Sequence, residues 1–306
     1  MTGAPGRLHR TGIVVTALAV AFAALAFTAA TTPWPPSRAG GGAPAGLATG
    51  ELGSGDDPGG RGDRGAGPPG VDGGAVVMGR CVTPLVQEQR SRTDNVALAA
   101  RILDGAVVGP GEEFSFNANL GRRTEEAGYK PARVIVDGRS EAGLAGGICQ
   151  VSSTLYNAAL LSGMEILERH PHSRPVPYLP MGLDATVSYG SLDLRWRNPW
   201  SFPVTVRAQV IGAGSELAVW IEGAEEPEKV QLVSEVVEVV PPRPAGEPGY
   251  TGRPVAGAPL AGGEIVHAGA SGYRVRVWAE TRGAGGERCR RLVSEDFYEP
   301  VLAVAR

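Results

Sequence analysis

Gly146-Gly147-Ile148-Cys149-Gln150-Val151-Ser152-Ser153-Thr154-Leu155-Tyr156-Asn157 stands near the middle of a 306-residue chain. Val151, Leu155, Ala158 and Ala159 recur at helical spacing, and Gly163 marks a stop. Gly143 to Gly147 read as a flexible loop. Cys149 is therefore expected at or just before a helix N-terminus, with Ser152-Ser153-Thr154 as capping residues. The helix dipole there favours a thiolate, and N–H groups at the helix start can stabilise an oxyanion. Gly146 and Gly147 would let a substrate backbone approach without a Cβ in the way. Gln150 is grouped with them as a substrate contact.

Working outward, Thr93-Asp94-Asn95 can cap a helix through Leu103. Phe114 to Asn117 and Arg133 to Gly138 read as short strands. Beyond the Cys helix, Leu183 to Val187, Leu192 to Trp196, Val204 to Ala208 and Leu217 to Ile221 alternate as strands do. From Lys229 onward the chain reads as glycine-punctuated strands. The fold class is α+β: a helix-borne Cys packed on a mostly antiparallel sheet, followed by a small all-β module over 229–306.

The ends and the composition bound the setting. Arg7 and Arg10 precede an apolar run from Gly12 to Ala30, the pattern of a signal anchor or signal peptide over 1–36. Positive charge before the run points the rest of the chain outward, so a membrane contact through this helix and an extracytoplasmic location are expected. Residues 37–75 are rich in Gly, Pro, Asp and Arg and read as a disordered linker. A main domain over 76–228 follows. The net charge is only −3, and no basic stripe marks a nucleic-acid binder. With three cysteines in all, Cys81 and Cys289 can pair as a disulfide, or both can be small buried hydrophobes. No metal and no cofactor are expected.

Cysteine attacks only as thiolate, and a neighbouring histidine can take its proton. His170 and His172 lie about twenty residues past Cys149 and alternate, so in an extended segment one of them faces the thiol. His172 is favoured and His170 is the alternative. Asp184 is the candidate to hold the imidazole tautomer. The order Cys, His, Asp matches that of papain-like and transglutaminase-like thiol enzymes. Arg122 and Arg123 can clamp a substrate carboxylate, or belong to a solvated loop.

Several words together resemble the VanW family: Phe114-Ser115-Phe116-Asn117, Gly121-Arg122-Arg123-Thr124, Gly128-Tyr129, the long word around Cys149, Glu168-Arg169-His170-Pro171-His172-Ser173, and Gly182 to Val187. Residues 229–306 resemble, more weakly, glycine-rich G-five β domains. The family resemblance implies a cell-wall protein, with Cys149 as nucleophile of peptidoglycan L,D-transpeptidation and stem peptides as partners; it does not by itself imply resistance. A peptidoglycan hydrolase using the same Cys, and a non-catalytic wall-binding protein linked to glycopeptide resistance, are the alternatives.

Overall fold

The computed structural model describes residues 49–53, 74–85, 89–136, 139–242, 265–267, 269–282, 286–301 and 304–305. The apolar run from Gly12 to Ala30 lies outside them, and among the described residues no helix is long and apolar enough to cross a membrane. The architecture is α+β, with antiparallel sheets and few helices.

The central sheet has the order β2-β10-β9-β3, from Val76–Pro84, Glu216–Gly223, Val204–Ile211 and Ala106–Val108. A small sheet, β4-β8-β7, joins Glu113–Ser115, Arg195–Arg197 and Glu165–Glu168, with Phe114 stacked on Trp196 at 4.8 Å between ring centroids. Pro131–Val136 and Arg139–Leu144 form the hairpin β5–β6. A third sheet, β1-β11-β13-β14, comprises Thr49–Gly53, Gln231–Val240, Gly272–Arg282 and Arg288–Tyr298. Ile265–His267 and Val304–Ala305 pair as β12 and β15. Among the described residues three α-helices accompany the sheets: α1 Arg90–Leu103, α2 Phe116–Leu120 and α3 Ile148–Leu161.

Helix α3 is the axle of the structure. Every residue in it except Cys149 and Leu160 is buried. Its apolar side shares one core with Val96 and Leu103 of α1 and with Leu217, Val219 and Ile221 of β10. A helix buried on all sides must satisfy its polar side chains internally, because an unpaired buried group is costly. Thr154 bonds Thr83 on β2 at 2.9 Å, and Gln150 donates to Thr83 Oγ1 at 3.1 Å and to the Pro84 carbonyl at 2.8 Å.

Several expectations change at this level. Helix α1 begins at Arg90, before Thr93-Asp94-Asn95, and no side chain caps its first residue. Asn95 instead sits buried inside α1 and donates to the carbonyls of Lys130 and Gly146 at 2.9 and 3.1 Å. Phe116 opens a short helix rather than extending a strand. Leu183 to Val187 join no sheet. Thr49–Gly53, inside the stretch read as linker, pairs along its length with β11. The third sheet does not stand apart from the rest, since Leu232, Val277 and Ala279 pack with Leu161 and Leu183 in a core of their own. Cys81 and Cys289 are free thiols. Their strands belong to different sheets: Cys81 on β2 faces Val219 in register, and Cys289 on β14 faces Thr281. No disulfide is made.

Candidate functional site

Cys149 is the second residue of α3, and Gly147 caps the helix with a left-handed φ of 108°. The reason for glycine here is packing. A Cβ at Gly147 would lie 2.9 Å from Val96 Cγ2 and 3.2 Å from the Arg92 carbonyl oxygen, both on α1. Gly146 and Gly147 are buried against that helix rather than open to a substrate. Gln150 is likewise internal: Arg92 donates to its Oε1 at 3.1 Å, and its amide nitrogen is spent on β2. These three positions shape the helix start from within and are not substrate contacts.

The polar stripe that follows Cys149 along α3 grips an extended segment. Ser153 accepts from the Ala185 N–H at 2.9 Å, Ser152 donates to the Ala185 carbonyl at 2.6 Å, and Asn157 donates to the Leu183 carbonyl at 2.6 Å. Cys149 Sγ donates to the Val187 carbonyl at 3.6 Å. Positions 149, 152–153 and 157 share one helical face, so residues 183–187 lie along α3 like a splint. Ser152 to Thr154 therefore act inside the helix, not as its cap.

This docking fixes Asp184 in the interior, where it is 0% exposed. The segment 170–172 runs beside it, tied by Thr186 N–H to the His170 carbonyl at 2.7 Å. Asp184 Oδ2 accepts from the backbone N–H of His172 at 2.6 Å and meets His172 Nδ1 at 2.7 Å. The imidazole also lies close enough to the Cys149 sulfur for each group to shift the other's ionisation. With Nδ1 committed to the carboxylate, Nε2 is the nitrogen left to take a proton from a thiol. His170 points elsewhere and bonds Glu168 at 3.0 Å. The structure thus assembles Cys149, His172 and Asp184 and leaves His170 out.

Electrostatics follow from this geometry. Burial alone would push the Cys149 thiol up, but the hydrogen bond and charge of His172, with Arg123 beyond, bring it below its ordinary value. Burial would likewise lower His172, yet the hydrogen bonds to Asp184 and Cys149 raise it well above the usual histidine range. Asp184 is penalised by burial and still held low by His172 and Arg169. The lowered thiol and the raised imidazole shift the pair toward proton transfer from Cys149 to His172, the direction a cysteine nucleophile needs.

Of the two arginines, Arg122 is exposed and lies over the Tyr189 ring at 5.4 Å. Arg123 is sandwiched between Phe116 and Tyr189, at 5.6 and 5.8 Å from their centroids. Its two terminal nitrogens are buried and have no hydrogen-bond partner among the described residues. A shallow pocket of about 390 Å³ is lined in part by Tyr189, Asn117, Glu168 and Asp193.

Three contributors were not anticipated from the sequence. Arg169, 6% exposed, donates from Nε to the Asp184 carbonyl at 2.6 Å and from a terminal nitrogen to the Gly182 carbonyl at 2.9 Å. Its other terminal nitrogen pairs with Asp296 at 2.5 Å. The Tyr298 hydroxyl accepts from the Gly182 N–H at 2.6 Å and donates to Asp184 Oδ1 at 2.5 Å. The only available sequence signal was Arg169 beside the histidines; nothing local distinguishes Asp296 or Tyr298.

Among known families, the one described as VanW like protein matches residues 91–220. Those residues are a domain of the VanW family. Over 143 residues the chain is 44% identical to YoaR, an uncharacterized protein of Bacillus subtilis, which covers 47% of each chain. Over 115 residues it is 33% identical to the vancomycin B-type resistance protein VanW of Enterococcus faecalis, covering 36% of this chain and 42% of that relative. The chain thus spans under half the length of either relative. No solved structure matches it. The VanW-like domain contains Cys149, His172 and Asp184, while Asp296 and Tyr298 lie beyond its end at residue 220. The match does not reach the strands read as G-five-like.

Proposed function

We propose that this protein is an extracytoplasmic cysteine acyltransferase of the cell wall, an L,D-transpeptidase that joins peptidoglycan stem peptides. The observation that carries the reading is the buried Asp184 carboxylate on His172 Nδ1 at 2.7 Å, with His172 and Cys149 close enough to shift each other's ionisation. The VanW relative, named for vancomycin resistance, supports the choice of the cell wall. The basic start and apolar run before Ala30 support an anchor or export signal and an outward-facing domain.

The Cys149 thiolate attacks the carbonyl carbon of the residue before the terminal one in a donor stem. The C–N bond breaks, and the His172 imidazolium delivers its proton to the departing amine, leaving a thioester. An amine of a second stem then attacks the thioester carbonyl. His172, now neutral, takes the amine proton as the new amide forms and Cys149 leaves as thiolate. Asp184 keeps the imidazole tautomer with Nδ1–H inward throughout. Arg123 supplies the carboxylate recognition. A guanidinium with two free terminal nitrogens beside the thiol suits the terminal carboxylate of the donor, once the Tyr189 ring turns aside.

The test is incubation of the full chain and Cys149→Ala with a disaccharide tetrapeptide, followed by mass spectrometry. Cross-linked dimer with release of the terminal amino acid, absent in the variant, is the expected result. Stem shortened without dimer would replace the reading with a hydrolase. No turnover by folded protein would replace it with a wall-binding module.

A further inference from the structure

The VanW-like domain does not complete its own site. Asp184 is wholly buried, and a buried carboxylate needs a partner for each oxygen. Its Oδ2 serves His172 twice. Its Oδ1 has Arg169 at a distant 3.5 Å and the Tyr298 hydroxyl at 2.5 Å. Tyr298 is the last residue of β14, in the C-terminal sheet. Because its oxygen already accepts from the Gly182 N–H, its own proton is directed at Asp184. Two residues earlier on the same strand, Asp296 clamps the guanidinium of Arg169, which in turn holds the carbonyls of Gly182 and Asp184.

The fit between sheet and site is tight. Gly182 has φ +84°, and a Cβ there would lie 2.5 Å from Val277 Cγ2 and 3.4 Å from Asp296 Oδ2. Ser234 of β11 donates to the Met181 carbonyl at 2.6 Å. Strands β11, β13 and β14 therefore press on residues 181–184, the stretch that ends in the carboxylate.

We propose that Tyr298 is a positioning residue of the Cys149 site and that Asp296 supports it through Arg169, so that the C-terminal sheet aims Asp184 at His172. The inference rests on the thiol acyl-transfer reading of that site. Tyr298 is 0% exposed and cannot touch substrate. Its effect must pass through Asp184 to His172 and so to the ionisation of Cys149.

The experiment compares wild type with Tyr298→Phe in the full chain, which keeps the buried ring and removes only the hydroxyl. Loss of a hydrogen bond to a charged group is expected to lower turnover about tenfold to a hundredfold, with KM unchanged. The pH midpoint of Cys149 alkylation by iodoacetamide, followed by peptide mass spectrometry, should rise by about one unit, because a carboxylate free to turn stabilises the imidazolium less. An alkylation midpoint that stays put or falls overturns the proposal, even if turnover drops, because a purely structural role would lower turnover without moving it. Should Tyr298→Phe not fold, Asp296→Asn carries the same test, with a smaller rise expected and no rise overturning it. Wild type that alkylates readily near neutral pH yet forms no acyl-transfer product would sink the acyl-transfer reading, while the alkylation profiles would still decide the part played by Tyr298.

Discussion

Cys81 and Cys149 are packed by the same core and have opposite chemistry. Cys81 is 3% exposed in the central sheet, and burial pushes its thiol up to about 12. Cys149 is half-buried, and its thiol falls below the ordinary value because His172, the Val187 backbone and Arg123 outweigh the penalty of burial. Enclosure alone silences a cysteine. Enclosure with a fixed imidazolium makes a nucleophile, since the low dielectric that penalises a lone charge strengthens a paired one.

The sharpest way to break that contrast is to remove what holds the imidazole. Asp184→Asn keeps the shape of the side chain but can donate where it should accept, which favours the wrong histidine tautomer. Acyl transfer is expected to fall by roughly 10⁴-fold, as for the analogous Asp to Asn change in a serine triad. Steady-state kinetics alongside a melting curve would check it. A folded variant with near-normal turnover would show that Asp184 is only structural.

A smaller effect should come from Arg123. Arg123→Gln removes the positive charge near the thiol and the free guanidinium. KM for the donor stem should rise about tenfold, the scale of one charge-assisted hydrogen bond, with a lesser drop in kcat. A stem whose terminal carboxylate is amidated should show little difference between wild type and variant. Equal losses on both stems would assign Arg123 to packing between Phe116 and Tyr189.

Much of this site was legible in the sequence because its chemistry lies in continuous words. Apolar residues at helical spacing after Gly147 place Cys149 at a helix start, and α3 runs from Ile148 as that spacing implies. The alternation of His170 and His172 leaves one to face the thiol, and His172 is the one that does. Other residues misled because the same types serve two ends. Gly147 and Gln150 look like a substrate cradle, but a backbone pressed against α1 also requires glycine, and a helix buried on all sides also requires an internal amide. The start of α1 was misplaced because its first residue has no side-chain cap to read. Asp296 and Tyr298 were illegible for a different reason. They meet Arg169 and Asp184 from 127 and 114 residues away, and no local pattern reports such a contact.

Selective alkylation of buried Cys81 and half-buried Cys149 across pH bears most closely on the Cys149–His172 pair. The full chain would be pulsed with iodoacetamide, and Cys81 and Cys149 followed separately by peptide mass spectrometry. Because the folded Cys149 value is depressed, its thiolate persists as pH falls below the free-thiol range of about 8.5 and is lost only on crossing the lower folded value. Cys149 should therefore react rapidly at neutral pH, and Cys81 should stay unmodified until the protein unfolds. The His172→Ala variant should return Cys149 to the behaviour of Cys81. A wild-type Cys149 that stays as inert as Cys81, or titrates at or above the free-thiol value, would contradict the assignment of Cys149 as the nucleophile.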